Sequence, residues 1–455
     1  MGLFNFKYRL KGLSDFFKNF SIFWIGWSRS KNTKWAARNY LLGVIFPAIR
    51  KNMSRIAHRV HLDPNVIQQF ITDSPWNPQE LMATNTRIMS KKTAKKEGVL
   101  IIDDTGQAKK GKKSPGVKRQ YSGTLGQVGN CQVFVGCWYG IPGHKRNADA
   151  IYWPTDMRLY IPEEWFKDRE RCEEAGIPTD IKFKTKPEIG LGLIDRANNE
   201  KIPHSAITTD TAYGTDGKFR EALRVRQEPY VVAVTPSLIS VIPEDTPFIP
   251  AGTKAANGRI RKYPGLPNGV KSKTADVIVS EIPKNDWQEV QWSNGTKGKL
   301  SALFARMRVC VVVDNRPTDE TGWLLFQRRK GVPLKVYMCW GLDDALIEEL
   351  VKIAHIRWVI EQGFKQMKGE LGLDDFEGRK WRGWHHHAAM VMIAFSYLML
   401  IRYEGYKTGE KLPTLPQVRK EAARLYVRRA LEQRFKISPE EADAFLDDEP
   451  ILIPE

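Results

Sequence analysis

The stretch His355–Gly372, HIRWVIEQGFKQMKGELG, decides how the rest of the chain is read. At about 100° per residue it forms a helix on which Arg357, Glu361, Phe364 and Lys368 fall on one stripe roughly 60° wide. The apolar Ile353, Ile360, Met367 and Leu371 lie beside that stripe and mark the side that meets a core. A carboxylate held among cations at the border of a core has two readings. In the first, Glu361 pairs at i,i+4 with Arg357 and Lys365, each pair contributing a few tenths of a kcal/mol. That accounts for a partner but not for a stripe of four. In the second, a rigid helix presents Glu361 to a metal ion while Arg357, Lys365 and Lys368 hold a nucleic-acid strand nearby.

Charge favours the second reading. The 455 residues carry 71 Lys and Arg against 52 Asp and Glu, a formal net charge of +19, which biases partners toward polyanions. A hydrophobic content of 42% is enough for a sizeable core. The five cysteines are scattered and include no CxxC pair, so neither a disulfide framework nor a zinc knuckle is indicated. This suits a reducing compartment. The N-terminus, MGLFNFKYRLKGLSDFF, is a poor signal peptide, and the apolar FSIFWIGW is short. The longest apolar run, AAMVMIAFSYLMLI (388–401), falls short of the ~20 residues that span a bilayer. It reads as a buried helix, and no membrane partner is expected.

Periodicity divides the chain. Residues 1–95 read as helical and basic. Within them RIAHRVHLDPNVIQQFI (55–71) breaks at Leu62-Asp63-Pro64, with Asp63 as cap and Pro64 at the first helical position. The pattern suits either a helix-turn-helix DNA reader or an ordinary helical hairpin. From residue 96 to 240 the order is mixed α/β. VLIID (99–103) is a strand, followed by a loop rich in Gly and Lys, the strands CQVFVGCWYG and AIYWPTDMRLYIP, and the helix KPEIGLGLIDRANNE. The strand HSAITTD, the helix GKFREALRVRQ and the strand YVVAVTP complete it. Residues 241–343 form a β-rich insertion with DVIVSEI, WQEVQW, ARMRVCVVVD, LLFQRR and KVYMCW as short strands. Residues 344–405 return to the core with the Glu361 helix, and 406–455 are a helical tail.

Asp103 and Asp104 end the strand VLIID, and Asp210 ends HSAITTD in the same way. A carboxylate at the tip of an apolar strand is costly unless something pairs with it. Each alone reads as a cap or salt bridge. Three carboxylates on rigid elements at core borders suit a site for two Mg²⁺ ions ~3.5–4 Å apart, with Mn²⁺ as a substitute. Gly106–Lys112, GQAKKGK, matches the start of a P-loop, but Lys113 stands where Ser or Thr would hold Mg²⁺. The cations Lys109, Lys110 and Arg119 therefore read as phosphate contacts or as a solvated loop. Neighbouring histidines in HHH (385–387) point apart and share one ion poorly. With Arg379, Trp381 and Arg382 just before, His385 belongs to a basic-aromatic DNA-contact loop or to structural packing.

The segments IDDTG with KKG, RQYSGTLGQVGNCQV, TDTAYG and RWVIEQGFKQMKGELGLDDFEGRKWRGWHHH closely resemble the DDE transposases of bacterial insertion sequences, nearest to the insertion-sequence-701 branch. That branch is related to a larger group with a Tyr-Arg-Glu-Lys signature, and the likeness runs from about Pro75 to Arg402. The resemblance implies an α/β fold: an RNase H-like mixed sheet with helices, interrupted by a β-rich insertion, with a helical N-terminal DNA-binding region and a helical C-terminal tail. It implies three metal-binding catalytic acids, Asp103 (or Asp104), Asp210 and Glu361. The signature's Arg, Glu and Lys fall on Arg357, Glu361 and Lys368, while Ala354 stands where the signature has Tyr. It further implies a homodimer on double-stranded DNA whose residues 1–95 bind terminal inverted repeats, with metal-assisted cutting of the ends and joining of the 3′-hydroxyl to target DNA. The alternatives are a transposase-derived DNA-binding regulator without catalysis and a nuclease that cuts without joining. Trp287 or Trp292 either stacks on a displaced base or joins the core.

Overall fold

Four consecutive apolar residues, Val99–Ile102, call for a strand covered on both faces. In the computed structural model they are fully buried and open strand β1 (Val99–Ala108). The structure describes residues 31–46, 50–124, 126–142, 149–254, 258–295, 298–407 and 412–448. The N-terminal readings of MGLFNFKYRLKGLSDFF and FSIFWIGW lie outside the described residues.

The strands after β1 are β2 (Lys118–Ser122), β3 (Gln127–Gly140), β4 (Tyr152–Tyr160), β5 (Ala206–Thr209) and β6 (Tyr230–Val234). β1 pairs antiparallel with β3 and parallel with β5; β3 pairs antiparallel with β4, and β5 parallel with β6. The spatial order β4-β3-β1-β5-β6 is the RNase H-like mixed sheet that the resemblance implies. The strand holding Asp103 and Asp104 does not end there, as the pattern VLIID suggested. It continues to Ala108 because β3 keeps pairing with it, Ala108 lying opposite Cys131.

The β-rich insertion continues the sheet of the core. Its strands are β7 (Ser240–Pro243), β8 (Lys273–Thr274), β9 (Gln288–Gly295), β10 (Gly298–Val313), β11 (Arg316–Arg329) and β12 (Val332–Trp340). β12 pairs antiparallel with β6, and β11, β10, β7 and β8 follow in order, so one sheet of twelve strands runs through the molecule. The pairing covers the β6 edge, whose backbone groups would otherwise stand open. DVIVSEI is not a strand: Ala275 and Ile278, three apart, are the buried residues of a short helix, Ala275–Ile278, and a 3₁₀ turn follows.

The N-terminal helices are α1 (Lys31–Ile45), α2 (Met53–Arg59), α3 (Pro64–Thr72) and α4 (Pro78–Thr93). Asp63 accepts from the Asn65 amide at the start of α3, with Pro64 first in the helix. Two helices, α5 (Lys186–Asn199) and α7 (Gly217–Val225), flank the sheet, with a single turn, α6 (Thr211–Gly214), between them. The stretch quoted first is interrupted at Arg357 into α8 (Ile347–Ile356) and α9 (Trp358–Leu371). Then come α10 (Trp381–Lys407), α11 (Leu415–Phe435) and α12 (Pro439–Asp448). α10 is long and apolar enough to cross a membrane, yet the most apolar 18-residue window within Trp381–Tyr403 is wholly buried inside the protein. The N-terminal helices close over it. Tyr40 shares a 2.7 Å hydrogen bond with His387, Trp76 stacks on His386 at 3.6 Å, and Asn85 donates to Ser396.

α9 lies close on β3 because it carries glycine at the crossing. A Cβ on Gly363 would sit 2.2 Å from the ring of buried Trp138. A ring packed on all sides cannot yield that distance, so Gly363→Ala forces helix and strand apart. The expected cost is about 1–3 kcal/mol, read as a lower thermal midpoint. Gly369→Ala, on the same helix with nothing near its Cβ position, is the control that leaves the midpoint unchanged or higher.

Candidate active site

Parallel pairing of β1 with β5 places Ile102 opposite Thr209. One residue further on, Asp103 and Asp210 are the next positions on neighbouring strands, about 4.8 Å apart in the pairing direction. β5 stops at Thr209 because Asp210 turns to cap α6, its Oδ1 accepting from the amides of Ala212 and Tyr213. Alternation along β1 sends Asp103 and Asp104 to opposite faces. On the face of Asp103, Ile101 packs beside Ile356 and Val359 at Gly140; on the face of Asp104, Ile102 packs beside Tyr213 at Gly190. Asp103 accordingly meets the Glu361 helix: its Oδ2 accepts from Arg357 Nη1 at 2.7 Å, and Arg357 Nη2 donates to Glu361 Oε1 at 2.5 Å. Asp104 instead takes Lys186 at 3.1 Å and the Tyr213 hydroxyl at 3.2 Å.

Asp103, Asp104, Asp210 and Glu361 thus line one cleft of about 1200 Å³, together with Arg357 and Lys368. Burial, and then the neighbouring charge of Asp210, push the Asp103 carboxyl up to about 8, against the pull of Arg357. Burial raises Asp210 as well, with Arg357 opposing. Two crowded, poorly hydrated carboxylates call for cationic company, and hard oxygen donors suit Mg²⁺ or Mn²⁺. In that respect the donor set fits a divalent ion. As the side chains stand, Arg357 supplies the positive charge. Among the described residues no three His, Cys, Asp or Glu side chains are grouped closely enough to hold a metal. Glu361, half exposed at 53%, is the acid with room to turn away from the guanidinium.

Other expected contacts divide. Lys365 is exposed and lines the same cleft. Lys368 sits there too, but its ammonium donates to Thr105 Oγ1, Gly106 O and Thr124 Oγ1, which takes all three of its donors. It braces α9 against β1, and burial lowers its pKa to about 8. Lys109 corrects the free-loop reading in the same way: its ammonium donates to the Phe376 carbonyl at 2.6 Å. Lys110, Arg119 and Arg379 are exposed.

His385 is a correction too. The HHH run lies inside α10, and all three rings are buried because the apolar face of that helix begins before them. Backbone carbonyls serve as partners: Trp381 O for His385, Ile71 O and Trp76 O for His386, Gly372 O for His387. Trp381 and exposed Arg382 flank His385 at the wall of a second cavity, apart from the acids. Trp292 lines the acid cleft and stands edge-on to His355 at 3.8 Å, whereas Trp287 packs under Arg328. Sequence reading passed over Lys186, Tyr213 and Thr124. Tyr213 and Thr124 lay within the quoted TDTAYG and RQYSGTLGQVGNCQV, but their roles, like that of Lys186, come only from tertiary contacts.

Asp103 within β1, Asp210 just after β5 and the helix-borne Glu361 thus meet on the mixed sheet. Residues 15–299 match the family described as DDE superfamily endonuclease, more than half of the chain, and the protein belongs to that superfamily. The matched span includes Asp103 and Asp210 and ends before Glu361. The chain is 26% identical over 338 residues, 74% of each sequence, to a probable transposase for insertion sequence element IS701 from Microchaete diplosiphon. It is 24% identical over 198 residues, 41% of this chain and 58% of the relative, to a glutamine-hydrolyzing GMP synthase chain of Thermoplasma volcanium. A cryo-EM structure of the piggyBac transposase synaptic complex with hairpin DNA aligns over 94% of this chain and 78% of its own, at 10% identity and a TM-score of 0.40, too loose a likeness to carry an argument.

The raised Asp103 carboxyl has a consequence for stability. Unfolded, it titrates near 3.8; folded, near 8. Its contribution is full below about pH 4 and is lost as pH rises through about 8. In chelator, the thermal midpoint of wild type should fall across that window relative to Asp103→Asn, which lacks the titration. Scans of both proteins at several pH values measure the difference, and added Mg²⁺ should narrow it at the alkaline end.

Proposed function

We propose that the protein is a cut-and-paste DNA transposase in which Asp103, Asp210 and Glu361 hold two divalent ions. The observation that carries this reading is the bridge Asp103–Arg357–Glu361 beside Asp210, which joins residues of β1, the end of β5 and α9 in one cationic cleft. Asp103, not Asp104, is the first acid of the set, because it alone shares the face of α9. Divalent ions bound there supply activation of the attacking oxygen and stabilisation of the leaving one.

This chain's own residues do the rest. Arg357 stands between Asp103 and Glu361 and balances their charge while no DNA is present. A phosphodiester entering the cleft offers its guanidinium a second anion, which frees Glu361 to join the other acids. Lys365, exposed at the rim, contacts the strand, while Lys368 keeps α9 fixed to β1 through Thr105, Gly106 and Thr124. The oxygen of water bonds to phosphorus at the transposon end, the bond from phosphorus to the 3′ oxygen breaks, and a 3′-hydroxyl is released. The oxygen of that hydroxyl then bonds to a phosphorus of the target, its proton is lost, and the bond from that phosphorus to the target's own 3′ oxygen breaks, leaving a 3′-hydroxyl on the target. Asn65, Gln68 and Gln69, exposed on α3, are available to read the terminal inverted repeats. Both ends must be cut together, so the working unit is a homodimer on DNA.

The test mixes purified protein, end fragments taken from the DNA flanking its gene, and a supercoiled target, with Mg²⁺ or with chelator. Wild type should release the end and join it only with the metal. Glu361→Gln should bind the ends and cut at least about a hundredfold more slowly, the upper range seen even for losses one shell further out. Binding without cutting by wild type, with Mn²⁺ also tried, would leave a DNA-binding regulator; cutting without joined product would leave a nuclease.

A further inference from the structure

A second cavity, of about 770 Å³, lies between α5, β4 and the start of α10, and the chemistry proposed above makes no use of it. Its walls are largely apolar, with Leu159, Phe166, Ile189 and Trp381 among them. Two lining residues carry buried polar atoms with no hydrogen-bond partner, Arg158 Nη2 and His385 Nε2. Arg158 spends Nη1 on Asp156 and on its neighbour's carbonyl, so Nη2 is an unmet donor. His385 is only 7% exposed and turns Nδ1 to the Trp381 carbonyl, which places the ring proton on Nδ1 and leaves Nε2 an unmet acceptor. A buried donor and acceptor left open in one cavity call for a ligand or an ordered group to complete them.

The cavity's mouth says which ligand. Lys182 and Lys184 line it, are exposed, and make no ion pair or hydrogen bond among the described residues. Of the acids that line the cavity, Glu188 closes the capping box of α5 and also feels the charge of Lys184, Asp195 pairs with Arg226, and Asp180 is exposed two residues before Lys182. The segment reads Lys182-Phe183-Lys184-Thr185-Lys186, and its last lysine touches Asp104 in the acid cleft at 3.1 Å. Two residues of extended chain span about 7 Å at most. A row of cations interleaved with an aromatic ring therefore leads from the acids to the cavity's entrance, the arrangement that tracks a single strand.

We propose that this cavity receives an unpaired base of the DNA strand that passes the acid cleft, with the strand's phosphates on Lys182 and Lys184 and the base beside Trp381, its polar edge completing Arg158 and His385. The inference rests on the DNA-cutting reading above and adds a site to it. It also gives the Trp381–His385 segment a part in DNA binding from inside a cavity and not from an exposed loop.

Gly192 makes the test clean. It lines the cavity, and a Cβ there would meet nothing within 4 Å, so a side chain can be started there without a clash. Full-length Glu361→Gln protein serves as parent, so that DNA is held uncut. Into it go Gly192→Phe, which fills the cavity, Gly192→Ala, which leaves it open, and the exposed pair Lys182→Ala with Lys184→Ala. Binding of a short single-stranded oligodeoxynucleotide and of a duplex is followed by anisotropy. Photocrosslinking of 5-iododeoxyuridine in the single strand reports contact with the peptide containing Trp381. Expected are single-strand binding roughly tenfold weaker for Gly192→Phe and for the lysine pair, the scale of one base stack, duplex binding unchanged, loss of the Trp381 crosslink in Gly192→Phe, and parental behaviour for Gly192→Ala. Thermal midpoints establish that each variant is folded; should Gly192→Phe not fold, the lysine pair decides. Unchanged single-strand affinity and crosslinking in a folded variant overturn the proposal while DNA cutting by wild type stands. A parent that binds neither DNA overturns both readings.

Discussion

The ion pair between Arg357 and Asp103 is the contact on which the arrangement of the site turns. It ties the junction of α8 and α9 to the middle of β1, and through the same guanidinium it reaches Glu361 four residues on. The side chain of Asp103 is 13% exposed and that of Arg357 27%. Without Arg357 the crowded carboxyls of Asp103 and Asp210 lose the group that opposes their burial, and without Asp103 the guanidinium keeps only Glu361. The pair is therefore a constraint on helix placement as much as a source of stability, and it explains why the helical run is interrupted at Arg357.

Two further devices hold α9 to the sheet. Gly363 lets the helix lie directly on Trp138, and Lys368 fastens its C-terminal half to Thr105 and Gly106. Beyond the last turn, buried Lys51 donates to the Glu370 carbonyl at 2.6 Å, and Gly372 ends the helix with φ of +71°. Lys51 comes from the N-terminal segment, so the helices expected to read DNA are fastened to the end of the Glu361 helix and share one hydrophobic core with the sheet.

How much of this could be read in advance follows from the range of each interaction. Strand VLIID, the helix at 186–199 and the Asp63–Pro64 helix start depend on neighbours within a few residues, and their positions were legible. The candidate acids were also legible, since charged residues bordering apolar runs are locally anomalous. What pattern could not give is partnership. Nothing in the sequence says that β12 pairs with β6, so the insertion was legible as short strands but not as a continuation of the sheet. The HHH run looked like a loop because three polar residues follow a basic stretch, while the carbonyls of Ile71 and Trp76 that allow His386 to be buried lie more than 300 residues away in the chain. Lys368 read as a DNA contact for the same reason: its three acceptors are all remote in sequence.

The choice between Asp103 and Asp104 shows what a register adds to a motif. Side by side in sequence, the two are equivalent as letters. On a strand they must face apart, and the packing of Ile101 against α8 and α9 and of Ile102 against α5 and α6 fixes which goes where. Asp103 then falls to the face of Arg357 and Glu361, and Asp104 to the face of Lys186 and Tyr213. The second acid is not idle in this arrangement. By holding Lys186 it anchors the start of the α5 helix, and with it the lysine row that ends at the second cavity. One pair of adjacent carboxylates thus serves two faces of the sheet, the first tied to Arg357 and through it to Glu361, the second to Lys186 and Tyr213.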